Sequence, residues 1–76
     1  MIKGQKTHYV LKQDNFFEFR GDTLRQTESM VYASGSPVEF ISSVRMEHDG
    51  VIREFWKVNT IDQDGVYFLP HMLGKD

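Results

Sequence analysis

The sequence predicts a mostly β fold: a small antiparallel meander of five to six strands, curled into a sheet or a small barrel. Two observations carry this expectation. Turn chemistry recurs about every fourteen residues, at Gly21-Asp22, Ser34-Gly35-Ser36-Pro37, His48-Asp49-Gly50 and Gln63-Asp64-Gly65. The stretches between are rich in Val, Ile, Phe, Tyr, Trp and Thr, which suit a pleated, half-buried surface. Residues 22–34 also admit a second architecture, an α+β arrangement with one helix packed on the meander.

Taken in order, residues 8–13 read as a strand, Asp14-Asn15 as a turn and residues 16–20 as a second strand. Residues 22–34 are contested. As a helix, Thr23 caps with Gln26 three residues on, and Leu24, Thr27 and Val31 share a side. As a strand, a Gly21-Asp22 turn sets Phe19 against Leu24 and Glu18 against Arg25, one apolar pair and one of opposite charge. Two Thr, a Ser, a Val and a Tyr lower the helical propensity, so the strand is preferred.

Residues 38–61 form the clearest hairpin. A two-residue turn at Asp49-Gly50 puts Val44 opposite Phe55 and Met46 opposite Arg53, mixing polar and apolar positions on both faces. A three-residue loop, His48-Asp49-Gly50, instead pairs Met46 with Ile52, Val44 with Glu54, Ser42 with Trp56 and Phe40 with Val58. One face then carries Val38, Phe40, Val44, Met46, Ile52, Trp56 and Val58, and burial of that face selects this register. The same logic at Gln63-Asp64-Gly65 sets Ile61 against Tyr67 and brings Val66 and Phe68 onto the Trp56/Val58 face. Pro70 ends the strand because it has no N–H for a ladder, and residues 71–76 read as a tail. On the reverse face Ile41, Phe55, Ile61, Tyr67 and Leu69 lie among charged residues. The chain's own N-terminal part or another subunit is expected to cover them.

With 76 residues, no Pro/Ser-rich linker and no repeat, one domain spanning 1–76 is expected, with a thin core. Cysteine is absent, which excludes disulfides, thiolate metal sites and a Cys nucleophile. No apolar run approaches the roughly 18 residues of a membrane span, and no signal-peptide pattern follows Met1. The formal net charge is −2, which argues against a general duplex-DNA binder. Residues 1–38 carry five basic and four acidic side chains, and residues 39–76 carry four and seven.

Motifs that could carry chemistry are sparse. His8, His48 and His71 form no pair at metal-ligand spacing. Asp62-Gln63-Asp64-Gly65 departs from a calcium loop, where the glycine stands sixth and a glutamate twelfth. Arg20-Gly21-Asp22 is the integrin-binding tripeptide, but its residues are explained as a turn. Glu54, placed between Ile52 and Trp56 on the apolar face, is expected to be desolvated with a raised pKa unless a cation pairs with it, or, as is more common, to lie near a sheet edge with its head in water. No catalytic residue, metal ligand or cofactor is assigned. The expected protein is a cytoplasmic, non-enzymatic domain that binds a protein partner and associates with itself as a homodimer. Ile41, Phe55, Tyr67 and Leu69 supply the contact surface. A reading from another class is a single-stranded nucleic-acid binder in which Phe16 stacks on bases between Lys12 and Arg20.

Overall fold

The computed structural model describes residues 1–75, which order as β1 (His8–Val10), β2 (Asp14–Arg20), β3 (Thr23–Tyr32), β4 (Pro37–His48), β5 (Val51–Asn59), β6 (Val66–Phe68), a 3-10 turn (Pro70–Met72) and β7 (Leu73–Lys75). The fold is mostly β, an open antiparallel sheet of seven strands in the order β3-β2-β6-β5-β4-β1-β7. The barrel alternative is not realised, since β3 and β7 remain as edges, and the preferred strand reading of residues 22–34 holds in β3. Asp14 and Asn15, expected as a turn, instead open β2, and the chain bends earlier, at residues 11–13. The order also departs from a plain meander, because β1 leaves its sequence neighbour β2 to pair with β4 and β7. The stretch read as a tail contributes to this: Val10 stands opposite Leu73, and the Leu11 N–H bonds the Met72 carbonyl at 3.0 Å. Met72 and Leu73 are buried, so burial of apolar side chains holds residues 70–75 in place. Asp76, the last residue of that stretch, lies outside the described residues.

The β2–β3 hairpin has the expected pairs, Phe19 with Leu24 and Glu18 with Arg25. The β4–β5 hairpin does not have the expected register. Val44 lies opposite Phe55 and Met46 opposite Arg53, the two-residue alternative. Asp49 (φ 53°) and Gly50 (φ 77°) both adopt left-handed conformations, as a type I′ turn requires. The pairing of Phe40 with Val58 nonetheless holds, because a β-bulge between Phe40 and Ser42 inserts one residue into β4. The β5–β6 register also differs from expectation. Trp56 pairs with Phe68 and Lys57 with Tyr67, after a longer loop of residues 60–65, while Val66 and Phe68 do join the Trp56/Val58 face.

The bulge has a structural consequence beyond register. On its N-terminal side the even-numbered residues of β4 share a face with Val58; on its C-terminal side they share one with Phe55. β3 behaves likewise, since Leu24 pairs with Phe19 but Tyr32 pairs with Asp14 after an irregularity near residues 27–30. Each long hairpin therefore supplies side chains to both faces of the sheet. On one side Val10, Phe16, Tyr32, Val38, Val58, Val66 and Phe68 are buried, with Phe16 stacked on Phe68 at 5.6 Å and tilted against Tyr32 at 5.1 Å. On the other side Phe17 meets Phe55 edge-on at 5.0 Å, beside buried Leu24 and half-buried Val44 and Met46.

His48, at the far end of β4, also reaches Phe17 at 5.0 Å. Phe17 is level with Tyr67 and, through it, with Lys57, near the middle of β5. The β4–β5 hairpin therefore coils back across the sheet, in the sense of the strong twist that two-stranded ribbons carry. The reverse face is thus covered by the chain itself at Phe55. Total exposed area is 4890 Å², close to the roughly 4,800 Å² of a compact folded chain of this mass.

Phe68→Ala should remove about 3–5 kcal/mol, a large part of the roughly 4–11 kcal/mol available to a domain of this size. Ile52→Ala, at a residue 64% exposed, should cost under about 0.5 kcal/mol. Urea denaturation monitored by Trp56 fluorescence distinguishes the two.

Candidate protein-contact surface

Of the residues expected to form a contact surface, the structure keeps three accessible in part and removes one. Ile41 is 46% exposed and sits in the bulge, where it and Ser42 share a single partner position, Lys57. Lys57 is flanked by Tyr67, so Ile41, Lys57 and Tyr67 occupy one line across β4, β5 and β6. Tyr67 and Leu69 are half-buried and pack against the core from its margin. Phe55 has no exposed surface; Phe17 and Val44 enclose it, so it belongs to the interior.

The nucleic-acid constellation does not assemble. Phe16 is fully buried against Phe68 and Tyr32, so no base can stack on it, while Lys12 and Arg20 remain on the exterior. Arg20-Gly21-Asp22 is the β2–β3 turn, with Gly21 at φ 65°.

Sequence reasoning missed several surface residues. Phe19, set against Leu24 in an apolar pair, is nonetheless 46% exposed, its ring meeting Tyr67 edge-on at 5.5 Å. Val51 and Ile52, assigned by the three-residue loop to a turn flank and a dry face, are both exposed. The Asp49-Gly50 dipeptide carried the signal, because Asp-Gly favours the I′ turn that sets the observed register. A half-buried aromatic trio, Phe40, Trp56 and His8, was not foreseen either. Trp56 stands 5.2 Å from Phe40 and 5.3 Å from His8. β1 brings His8 there, and pairing between strands distant in sequence leaves no local trace.

Glu54 lies beside this trio with its head in solvent, the commoner of the two expected environments rather than the desolvated one. It is exposed, and its Oε2 accepts hydrogen bonds from the Ser43 hydroxyl at 2.7 Å and the Trp56 indole N–H at 3.0 Å. The bond from Ser43, then that from Trp56, holds its pKa below the usual glutamate value.

A second polar cluster closes the β5–β6 loop onto β3. The Tyr32 hydroxyl donates to Asp62 Oδ1 at 2.6 Å, accepts from Gln63 Nε2 at 3.0 Å and lies 2.8 Å from the buried Thr60 Oγ1. The Gln63 backbone N–H donates to Thr60 Oγ1 at 3.0 Å, and the Thr60 N–H donates to the Gln63 carbonyl at 2.8 Å. Burial, followed by the bond to Asp62, pushes the Tyr32 pKa up. The same bond from Tyr32 lowers that of Asp62. A phenol held in its protonated form is a poor nucleophile or base at neutral pH; here it ties a loop to a strand.

A shallow open cleft separates the ends of the two long hairpins, with Asp22 and Arg25 on one wall and Glu47, His48 and Asp49 on the other. The buried Nδ1 of His48 has no hydrogen-bond partner, and Asp49 Oδ2 stands 3.7 Å away. Among the described residues no group of three or more His, Asp or Glu side chains is placed to hold a metal ion, and no helix is long and apolar enough to cross a membrane.

Comparison of the chain with protein-family models, curated proteins and solved structures finds no match in any of the three. The functional reading therefore rests on the site itself.

The Tyr32–Asp62 contact should make stability pH-dependent at both ends. Because the folded-state pKa of Asp62 is depressed, its contribution is complete above the unfolded value and is lost as pH falls through and below the ordinary carboxylate range. The raised pKa of Tyr32 implies a contribution present below about pH 10 and lost above it. Asp62→Asn should flatten the acid limb of the midpoint-versus-pH curve from thermal melts, and Tyr32→Phe should flatten both limbs.

Proposed function

We propose that this chain is a non-catalytic binding module that acts through protein–protein contact and associates with itself. One observation carries the reading: the β4–β5 ribbon leaves apolar side chains in solvent at both of its ends, and Phe19, Met30 and Val31 are likewise exposed on the β2–β3 hairpin. Ile41, Val51 and Ile52 all lie on the ribbon with about half or more of their surface exposed. In the half of the ribbon nearest the turn, neither strand has a second strand beside it. β1 reaches only Pro37 and Val38 of β4, and β6 reaches only Trp56 to Val58 of β5. Tyr67 and Leu69, with Phe19 lying against Tyr67, extend the apolar surface along β6. Apolar groups placed together on a surface mark contact sites more often than chance exposure does. A thin core without disulfides also gains stability when a second subunit covers such groups.

The non-catalytic part of the reading is supported by the roles of the polar groups. Tyr32, Thr60, Asp62 and Gln63 bond one another to close a loop, and Glu54 is engaged with Ser43 and Trp56.

Light scattering across about a hundredfold range of concentration should give a mass that rises toward that of a dimer. The double variant Ile41→Ser/Ile52→Ser should weaken association several-fold while changing stability by less than about 1 kcal/mol, since both side chains are exposed. A wild-type chain that stays monomeric throughout removes self-association from the reading.

A further inference from the structure

The open edge of β4 has a hydrogen-bonding phase and a charge pattern that suit one particular occupant. The two-residue turn closes on the pair His48–Val51, and pairing runs regularly from there to Ser42–Lys57. In such a hairpin the closing pair exchanges backbone hydrogen bonds, and alternate pairs follow suit. His48, Met46 and Val44 therefore turn their N–H and C=O groups toward β5, while Glu47, Arg45 and Ser43 turn theirs outward. No backbone group of another described element bonds to that outward row. Three residues thus present a short ladder with a free side, a template for one more strand.

Another edge, the outer side of β3, is a poorer template. Its pairing breaks between Phe17 and Asn15, and near that break the Met30 carbonyl accepts bonds from Thr27 Oγ1 at 2.9 Å and Asn15 Nδ2 at 3.5 Å. Irregularity of that kind is how sheets protect their edges. β4 is regular from Ser42 to His48, with its bulge only at the far end.

We infer that β4 pairs antiparallel with β4 of a second copy of this chain, about a two-fold axis at Met46. This rests on the self-association proposed above and specifies its geometry. In an isologous contact the outward residues of one copy face those of the other, which permits only a few registers. An axis at Arg45 sets Arg45 against Arg45, a repulsive pair. An axis at Val44 sets Ser43 against Arg45 and Ile41 against Glu47, with no pairing of opposite charges. An axis at Met46 sets Arg45 against Glu47 twice, once on each side, and brings the two Met46 side chains together. Both Arg45 and Glu47 are exposed and able to make that pair. Cross-strand pairs of opposite charge are favourable and like pairs are not, so charge selects the Met46 register. A ladder this short lies at the small end of interface sizes, and the dimer is accordingly weak and concentration-dependent.

The test uses two single variants and their mixture. Arg45→Glu places Glu against Glu47 twice, and Glu47→Arg places Arg against Arg45 twice. Each alone should raise the dimer dissociation constant by about tenfold or more. An equimolar mixture restores both opposite-charge pairs in a heterodimer and should recover near wild-type association by sedimentation velocity. Circular dichroism of each variant verifies that the sheet is intact, and Arg25→Glu on β3 should leave association unchanged. Variants that dimerise as the wild type does would overturn the β4 pairing while leaving self-association standing. A mixture that stays monomeric would overturn the Met46 register. A wild-type chain that never dimerises would overturn the pairing together with the reading on which it rests.

Discussion

A sheet with apolar side chains on both faces and, among the described residues, no α-helix to cover either becomes dry chiefly by folding over itself, and the rest of this structure follows from that constraint. Side chains alternate strictly along a regular strand, so a long hairpin can serve only one face unless its alternation is interrupted. Both long hairpins contain such an interruption, at Ile41 in β4 and near residues 27–30 in β3. The interruptions let Val38 and Tyr32 enter the part of the core built around Phe16 and Phe68, while Val44 and Leu24, on the same strands, enter the part built around Phe17 and Phe55. One small core cluster then draws side chains from both faces of a single sheet, and it depends on fully buried aromatic side chains to exclude water.

The same constraint accounts for the polar ties. A loop drawn over an apolar core must satisfy its backbone without water, because an unpaired buried polar group costs about as much as the net gain from several good bonds. Thr60 is almost wholly buried, yet its hydroxyl and N–H are both bonded within the loop, and Tyr32 anchors the loop from the edge strand β3. The buried Nδ1 of His48 is the exception: it makes no hydrogen bond, its ring lies against Phe17 and Phe55, and the Asp49 carboxylate stands 3.7 Å away. The His48 ring seals the small core where the two hairpins meet, and packing there outweighs hydrogen bonding.

Coiling one hairpin across the sheet also explains why the surface is incomplete. β6 is only three residues long, so strands on either side of it extend past its ends without lateral partners. The β4–β5 ribbon gains coverage on one face by bending toward Phe17 and keeps its outer edge and several apolar side chains in solvent. The architecture that completes the core is thus the one that leaves apolar side chains in solvent, a consequence of strand length.

Local chemistry was enough to establish the β class, the placement of turns at Asp-Gly and neighbouring residues, the preference for strand over helix in β3, and the pairs Phe19–Leu24 and Glu18–Arg25. Each of these follows from conformational preference or from contacts a few residues apart. The register of the β4–β5 hairpin was present in Asp49-Gly50 as well, but it was overridden by the assumption that one strand serves one face, an assumption the bulge at Ile41 violates. That misplaced Ile52 and Glu54 and set Val44 and Met46 on the wrong face. Of the candidate surface, Ile41, Tyr67 and Leu69 could be read as lying outside the main core, whereas the burial of Phe55 and Phe16 and the exposure of Phe19 could not. Side-chain alternation says only that two faces exist; which parts of each become dry depends on how far a ribbon bends and what it meets, and those contacts join residues dozens of positions apart. The sequence by itself thus determined the local turn and strand preferences of this protein, and only the tertiary structure decided which apolar residues were left exposed, because that depends on contacts between residues far apart in the chain.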